Sequence, residues 1–157
     1  MTETDDLWLV DSMWRAADLK RAYLTQDRAG IAACLADLDT GQLERVLVWL
    51  VLNHDDLFGE LGEPSMAVRE IGAAAALAPM EVEFAVTTAV RRVATKEKRG
   101  LTQAVEGLPL QDQIHTIVIC TVVMLLEAFG RTRALEKLHE ESVAHERMGN
   151  PRPYTIS

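Results

Sequence analysis

The sequence predicts an all-α fold, a single bundle of seven to eight helices built from two similar halves, and three observations carry that expectation. Residues 110 to 130, LQDQIHTIVICTVVMLLEAFG, form the longest nearly uncharged apolar stretch of the chain. Residues 40 to 59, TGQLERVLVWLVLNHDDLFG, form a weaker counterpart. Helices this apolar must be buried against each other or against everything around them, which makes them the central pair of the bundle. The segments between them place apolar residues at i, i+3, i+4 and i+7, the spacing of one helix face.

After an acidic leader, the first helix spans 7 to 25, with Val10, Met13, Trp14 and Ala17 at helical spacing. A short second helix carries Ile31, Cys34, Leu35 and Leu38 on one face. Asp39 caps the third: a short acidic side chain can accept from amides that the first turn leaves unpaired, and Gln42 stands three residues on, where a capping box needs it. The stripe of that helix is Leu43, Val46, Leu47, Leu50, Val51 and His54, and its expected end is near Phe58 and Gly59.

Pro64 and Pro79 open the fourth and fifth helices, since the amide that proline lacks has no partner in a first turn anyway. The fourth is alanine-rich through Ile71 and Ala73 to Ala76. The fifth carries Val82, Val86, Ala89, Val90 and Val93, with Glu81 and Glu83 complementing its dipole. A short sixth begins around Gly100 with Leu101, Ala104, Val105 and Leu108 on one face, and Pro109 starts the central seventh. The eighth, 131 to 147, is charged and weakly amphipathic. Residues 1–148 read as one domain, and 149–157, with Pro151 and Pro153, as an irregular tail.

The order long, short, long, charged occurs twice, giving halves 7–63 and 79–147 and a period of about 70 residues. Residues 20–38 overlay 90–108, and 40–59 overlay 111–130, pairing Gly30 with Gly100, Gln42 with Gln113, Val51 with Val122, and Phe58-Gly59 with Phe129-Gly130. Both long helices thus end in Phe-Gly, where glycine can take the left-handed conformation that terminates a helix. Trp14 falls opposite Phe84.

A length of 157 residues suits one domain that folds without disulfides or a structural metal. Composition, 48% hydrophobic and 25% charged, is that of a soluble globular protein. The apolar core of the seventh helix, 117–126 with Thr121 inside it, is about half of the roughly 20 residues a membrane span needs, so a core helix is expected. The acidic N-terminus lacks the basic character of a secretory signal, and Cys34 and Cys120 sit in apolar helical patterns, as buried hydrophobes of a reducing cytoplasm do. A cytoplasmic location follows as an expectation. The net charge of −8 lies wholly in the first half: residues 1–78 carry 14 acidic and 6 basic side chains, residues 79–157 ten of each. Such a surface disfavours nucleic acid and anionic membrane and suits a basic protein partner.

If the halves are related, function belongs where they differ. Asn53, His54, Asp55 and Asp56 stand opposite Met124, Leu125, Leu126 and Glu127, so polar residues replace apolar core. This is either a site for a cation or partner, or a helix ending early with an aspartate capping the next turn. The second difference is the basic run Arg91, Arg92, Lys96, Lys98 and Arg99, extended by Arg131, Arg133 and Lys137 if the last helix folds back beside it. It reads as a solvated helix face, or as a patch for an acidic partner, a nucleic acid or the acidic half of another copy. His139 and His145 are six apart and leave a helix on different faces, and His115 matches Glu44 on the polar side. No glycine-rich phosphate loop, CxxC or GxSxG occurs, no metal site is expected, and no cofactor is called for. Trp8, Trp14 and Trp49 read as core or interface anchors, Trp49 lying beside the main stripe.

The sequence therefore predicts a non-catalytic adaptor, inhibitor or regulator that binds another protein through its acidic first half or the surface beside Trp49. A homodimer packed on the alanine-rich fourth helix is also expected. The rivals are a small enzyme or ligand binder at His54, Asp55 and Asp56, and a regulator binding DNA through 91–99.

Overall fold

Seven helices and their connections account for the described part of the chain, with no strand among the described residues. The computed structural model describes residues 3–62, 68–94 and 101–154, and their side chains apart from those of 3–8, 68–70, 81, 90, 93, 94, 101 and 102. The helices are α1 (Glu3–Leu24), α2 (Arg28–Cys34), α3 (Thr40–Glu60), α4 (Val68–Ala75), α5 (Met80–Ala94), α6 (Leu101–Val105) and α7 (Leu110–Arg147).

Local chemistry explains most of the boundaries. α1 starts at Glu3, earlier than the expected residue 7. Asp27 caps α2, its carboxylate accepting from the Gly30 amide at 3.0 Å. Asp39 and Gln42 form the expected capping box at α3, with reciprocal bonds of 2.8 and 2.9 Å. Pro79 precedes α5 and its carbonyl accepts from the amides of Val82 and Glu83. The expected starts at Pro64 and Gly100 lie outside the described residues.

Two expectations are corrected here. α3 runs unbroken to Glu60, so Asn53–Asp56 is helical throughout and not an early helix end. Gly59 sits inside that helix: the Leu61 amide still bonds to the Leu57 carbonyl at 3.0 Å, and the left-handed residue comes later, at Gly62 with φ 73°. In the second long helix the Phe-Gly signal does work, because Gly130 has φ 77° and ψ 165°. It divides α7 into a proximal arm, 110–129, and a distal arm, 131–147.

The proximal arm is the centre of the molecule. Every residue from Ile114 through Leu125 is buried, as a helix apolar on all sides requires. α7 packs against α1, α3, α4, α5 and α6, most extensively against α3, while α1 covers α2 and α3. Thr116 and Thr121 return their hydroxyls to the carbonyls of Asp112 (2.7 Å) and Ile117 (2.9 Å), which lets polar residues sit in that core. α7 is long and apolar enough to cross a membrane by length and composition, and 67% of its apolar window is buried inside the protein.

His115 is a third correction. The sequence places it on the polar side, yet it is 2% exposed and hydrogen-bonded through Nδ1 to the Tyr23 hydroxyl at 2.6 Å. Helices cover this arm on every side, so it has no polar side here. Burial pushes the His115 pKa down to about 4. Cys34 and Cys120 are unbridged and buried, and burial raises their thiols to about 11 and about 12.

Residues 149–154 form no helix but are fastened to α1. The Trp14 indole donates to the Asn150 carbonyl at 2.9 Å, Arg152 pairs with buried Asp18 at 2.8 Å, and the Tyr154 hydroxyl donates to the same carboxylate at 2.6 Å. Arg15 lies 3.8 Å above the Tyr154 ring.

Candidate functional site

Three helical stripes converge on one cavity. α1 contributes Met13, Ala16, Ala17 and Lys20, spaced i, i+3, i+4 and i+7. α3 contributes Trp49, Asn53, Asp56, Leu57 and Glu60, again one face. The proximal arm of α7 adds Thr121 and Leu125, and the distal arm adds Ala134, Lys137, Leu138, Glu141, Ser142 and His145. The bend at Gly130 is what allows both arms to face the same space. Ala16, Ala17, Ala134 and Ser142 are small, and the space they leave is a cavity of about 440 Å³.

Lys20 is the unusual group in it. The side chain is 6% exposed, and Nζ donates to Asn53 Oδ1 at 2.5 Å. No described carboxylate forms an ion pair with it. Burial lowers its pKa, opposed by the negative charge of Glu141. A lysine held this way is an amine with weakened affinity for its proton.

The sequence-derived candidates are distributed by helix geometry. Successive residues leave a helix about 100° apart, so the Asn53–Asp56 cluster divides. Asn53 and Asp56 face the cavity together with half-buried Trp49. His54 turns inward on the stripe of Leu43, Val46 and Leu50, stacks on Phe58 with ring centroids 5.8 Å apart, and donates from Nδ1 to Asp55 at 3.1 Å. Its Nε2 is buried with no hydrogen-bond partner among the described residues. Asp55 points to solvent. His54 and Asp55 are therefore paired with each other, while Asp56 faces the cavity.

Of the basic run, Arg91 is exposed and Arg92 half-buried, while Lys96, Lys98 and Arg99 lie outside the described residues. Its expected extension is engaged within the chain. Arg131 donates to the Leu24 carbonyl, Arg133 pairs with Glu136 and Glu140, and the Lys137 ammonium lies 4.7 Å from the centre of the Phe129 ring. No three His, Cys, Asp or Glu side chains among the described residues are grouped to hold a metal ion. Trp14 is 2% exposed and belongs to the core, and the Trp8 side chain lies outside the described ones.

Sequence reasoning missed Lys20 altogether. Its signal was legible in hindsight: a lysine continuing the face of Met13, Ala16 and Ala17 is a charge on a stripe otherwise fit for burial.

Over its described residues the protein is all-helical, with an acid-lined recess between α1, α3 and α7. Comparison with protein-family models, with curated proteins and with solved structures found no match.

Proposed function

We propose that the protein is a cytoplasmic, non-catalytic interaction protein, an adaptor, inhibitor or regulator, that binds a basic partner through the outward face of α3. One observation carries this reading. Val48 and Leu52, one turn apart, are 58% and 52% exposed between the exposed acids Glu44 and Asp55. Apolar side chains flanked by like charge suit a partner with an apolar centre and a basic rim. The excess of acid in the first half of the chain supports the same sign of partner. The two-half architecture expected from the sequence belongs to this proposal: related halves would make α3, where polar residues replace apolar ones, the specialised helix.

A second reading is self-association. Met80 and Phe84, also one turn apart, are 84% and 83% exposed on α5. Phe84 is the residue that the expected repeat sets opposite buried Trp14. Another copy could cover it.

The test is quantitative affinity purification of the wild type beside Val48→Ser with Leu52→Ser, together with the mass of the purified protein in solution. The reading expects a stoichiometric companion with a basic surface, lost in the double variant and weakened by salt. Identical companions for both chains overturn it. A dimer broken by Phe84→Ser supports the second reading, and salt-sensitive DNA binding by the purified chain would favour the basic run instead.

A further inference from the structure

We propose that Lys20 is a reactive amine that condenses with a neutral aldehyde or ketone seated in the cavity between α1, α3 and the two arms of α7. This does not depend on the α3 docking face, since Val48 and Leu52 are not among the residues that line the cavity.

The placement of Lys20 comes first. Its ammonium group would be almost fully desolvated at 6% exposure, and its one hydrogen-bond acceptor among the described residues, Asn53 Oδ1, is neutral. A buried lysine kept for stability is normally paired with a carboxylate. Here the nearest acids stand around the cavity instead, and Glu141 acts on Lys20 only at a distance. Desolvation therefore weakens the hold of Lys20 on its proton, and the nitrogen lone pair that carbonyl addition needs is more readily freed. Asn53 orients Nζ and tolerates either protonation state, since both can donate to Oδ1.

The cavity selects the class of carbonyl compound. At about 440 Å³ it falls in the range of small-molecule sites, about 300–1,000 Å³. Trp49, Leu57, Leu125 and Leu138 supply apolar wall. Asp56, Glu60 and Glu141 also line it, with Lys137 as the other ammonium. Once Lys20 is neutral the recess is net acidic and repels an anionic keto acid or aldehyde phosphate. A neutral ligand with an apolar body fits.

The chemistry balances without a further reagent. The Nζ lone pair attacks the carbonyl carbon, forming the C–N bond while the carbonyl oxygen takes a proton, to give a carbinolamine. Loss of water then breaks the C–O bond and leaves the imine. Asp56, Glu60, Glu141 and His145, from α3 and the distal arm, are the titratable groups placed to accept and return these protons.

The experiment uses the full chain, benzaldehyde as the neutral probe and sodium cyanoborohydride, which delivers hydride to an imine carbon and fixes the adduct. Peptide mapping after short exposure at neutral pH compares Lys20 with Lys96, Lys98, Lys137 and the N-terminal amine. The expected result is a dominant adduct on Lys20, formed faster than on every other amine. Ala17→Leu, which fills the cavity, should slow labelling of Lys20 while leaving Lys96, Lys98 and the N-terminal amine unchanged. Labelling of Lys20 at or below the rate of the other lysines in the wild type, or no effect of Ala17→Leu in a variant that melts normally, overturns the proposal.

Discussion

His115 and Lys20 show how burial alone sets the behaviour of a single residue. Both basic groups sit in the core, and desolvation lowers the pKa of each. For His115 the folded value of about 4 lies below the ordinary 6.5. Above 6.5 both the folded and unfolded chains carry a neutral imidazole. As pH falls from 6.5 towards 4 only the unfolded chain takes up the proton, so stability is lost across that window, by about 3 kcal/mol in total. His115→Gln, which can still bond to Tyr23, should flatten this part of the stability curve in urea melts at pH 7, 5.5 and 4. Lys20 behaves differently with pH, since a lowered lysine pKa means the unfolded chain binds more protons as pH rises towards 10. The wild type should therefore gain stability from neutral to alkaline pH. Lys20→Met, lacking any buried amine, should be more stable by about 1–2 kcal/mol at pH 7, with the advantage shrinking by pH 9.5 in the same melts. The sequence put His115 on the wrong side, and for Lys20 it offered only the helix face, not its burial. A histidine or lysine on a helix looks solvated until the neighbours that exclude water are known.

At the scale of the element, the decisive feature is the bend in α7. Gly130 occupies φ 77° and ψ 165°, a region essentially closed to residues with a Cβ, and nothing lies within 4 Å of where that Cβ would be. The substitution Gly130→Ala is then a test of backbone strain and not of crowding. It should cost about 1–3 kcal/mol in thermal unfolding, and it should reduce labelling of Lys20, because the distal arm supplies Lys137, Leu138, Glu141, Ser142 and His145 to the cavity. The sequence marked this glycine correctly as a helix terminator. It marked Gly59 by the same rule, and there α3 simply continues, since a glycine permits a left-handed turn without requiring one. The capping box at Asp39 was fully legible, because all its partners are local. The division of Asn53–Asp56 between core, solvent and cavity was only half legible: helical spacing separates the side chains, but which direction is which depends on where α1 and α7 lie.

For the molecule as a whole, the tail joins one end of the chain to the other. Asp18 is 7% exposed, and its charge is met by Arg152 and Tyr154 from a segment more than a hundred residues away. Arg152→Ala leaves a buried carboxylate with the Tyr154 hydroxyl as its remaining side-chain partner. It should lower stability by about 2–3 kcal/mol, and a red shift of tryptophan emission should follow as Arg152 leaves the face of Trp14, 4.9 Å away. An unchanged melt would mean that the tail merely rests on α1. The sequence by itself determined the helical class, the central position of 110–130, the caps at Asp39 and Gly130, and the burial of the two cysteines. Those features follow from hydrophobic period and short-range hydrogen bonding, which act between residues a turn or two apart. The tertiary structure alone decided that His115 is dry, that the tail holds Asp18, and that Lys20, Asn53 and Glu141 enclose one recess. These depend on which faces of separate helices meet, and no local pattern encodes the direction in which a helix is finally packed.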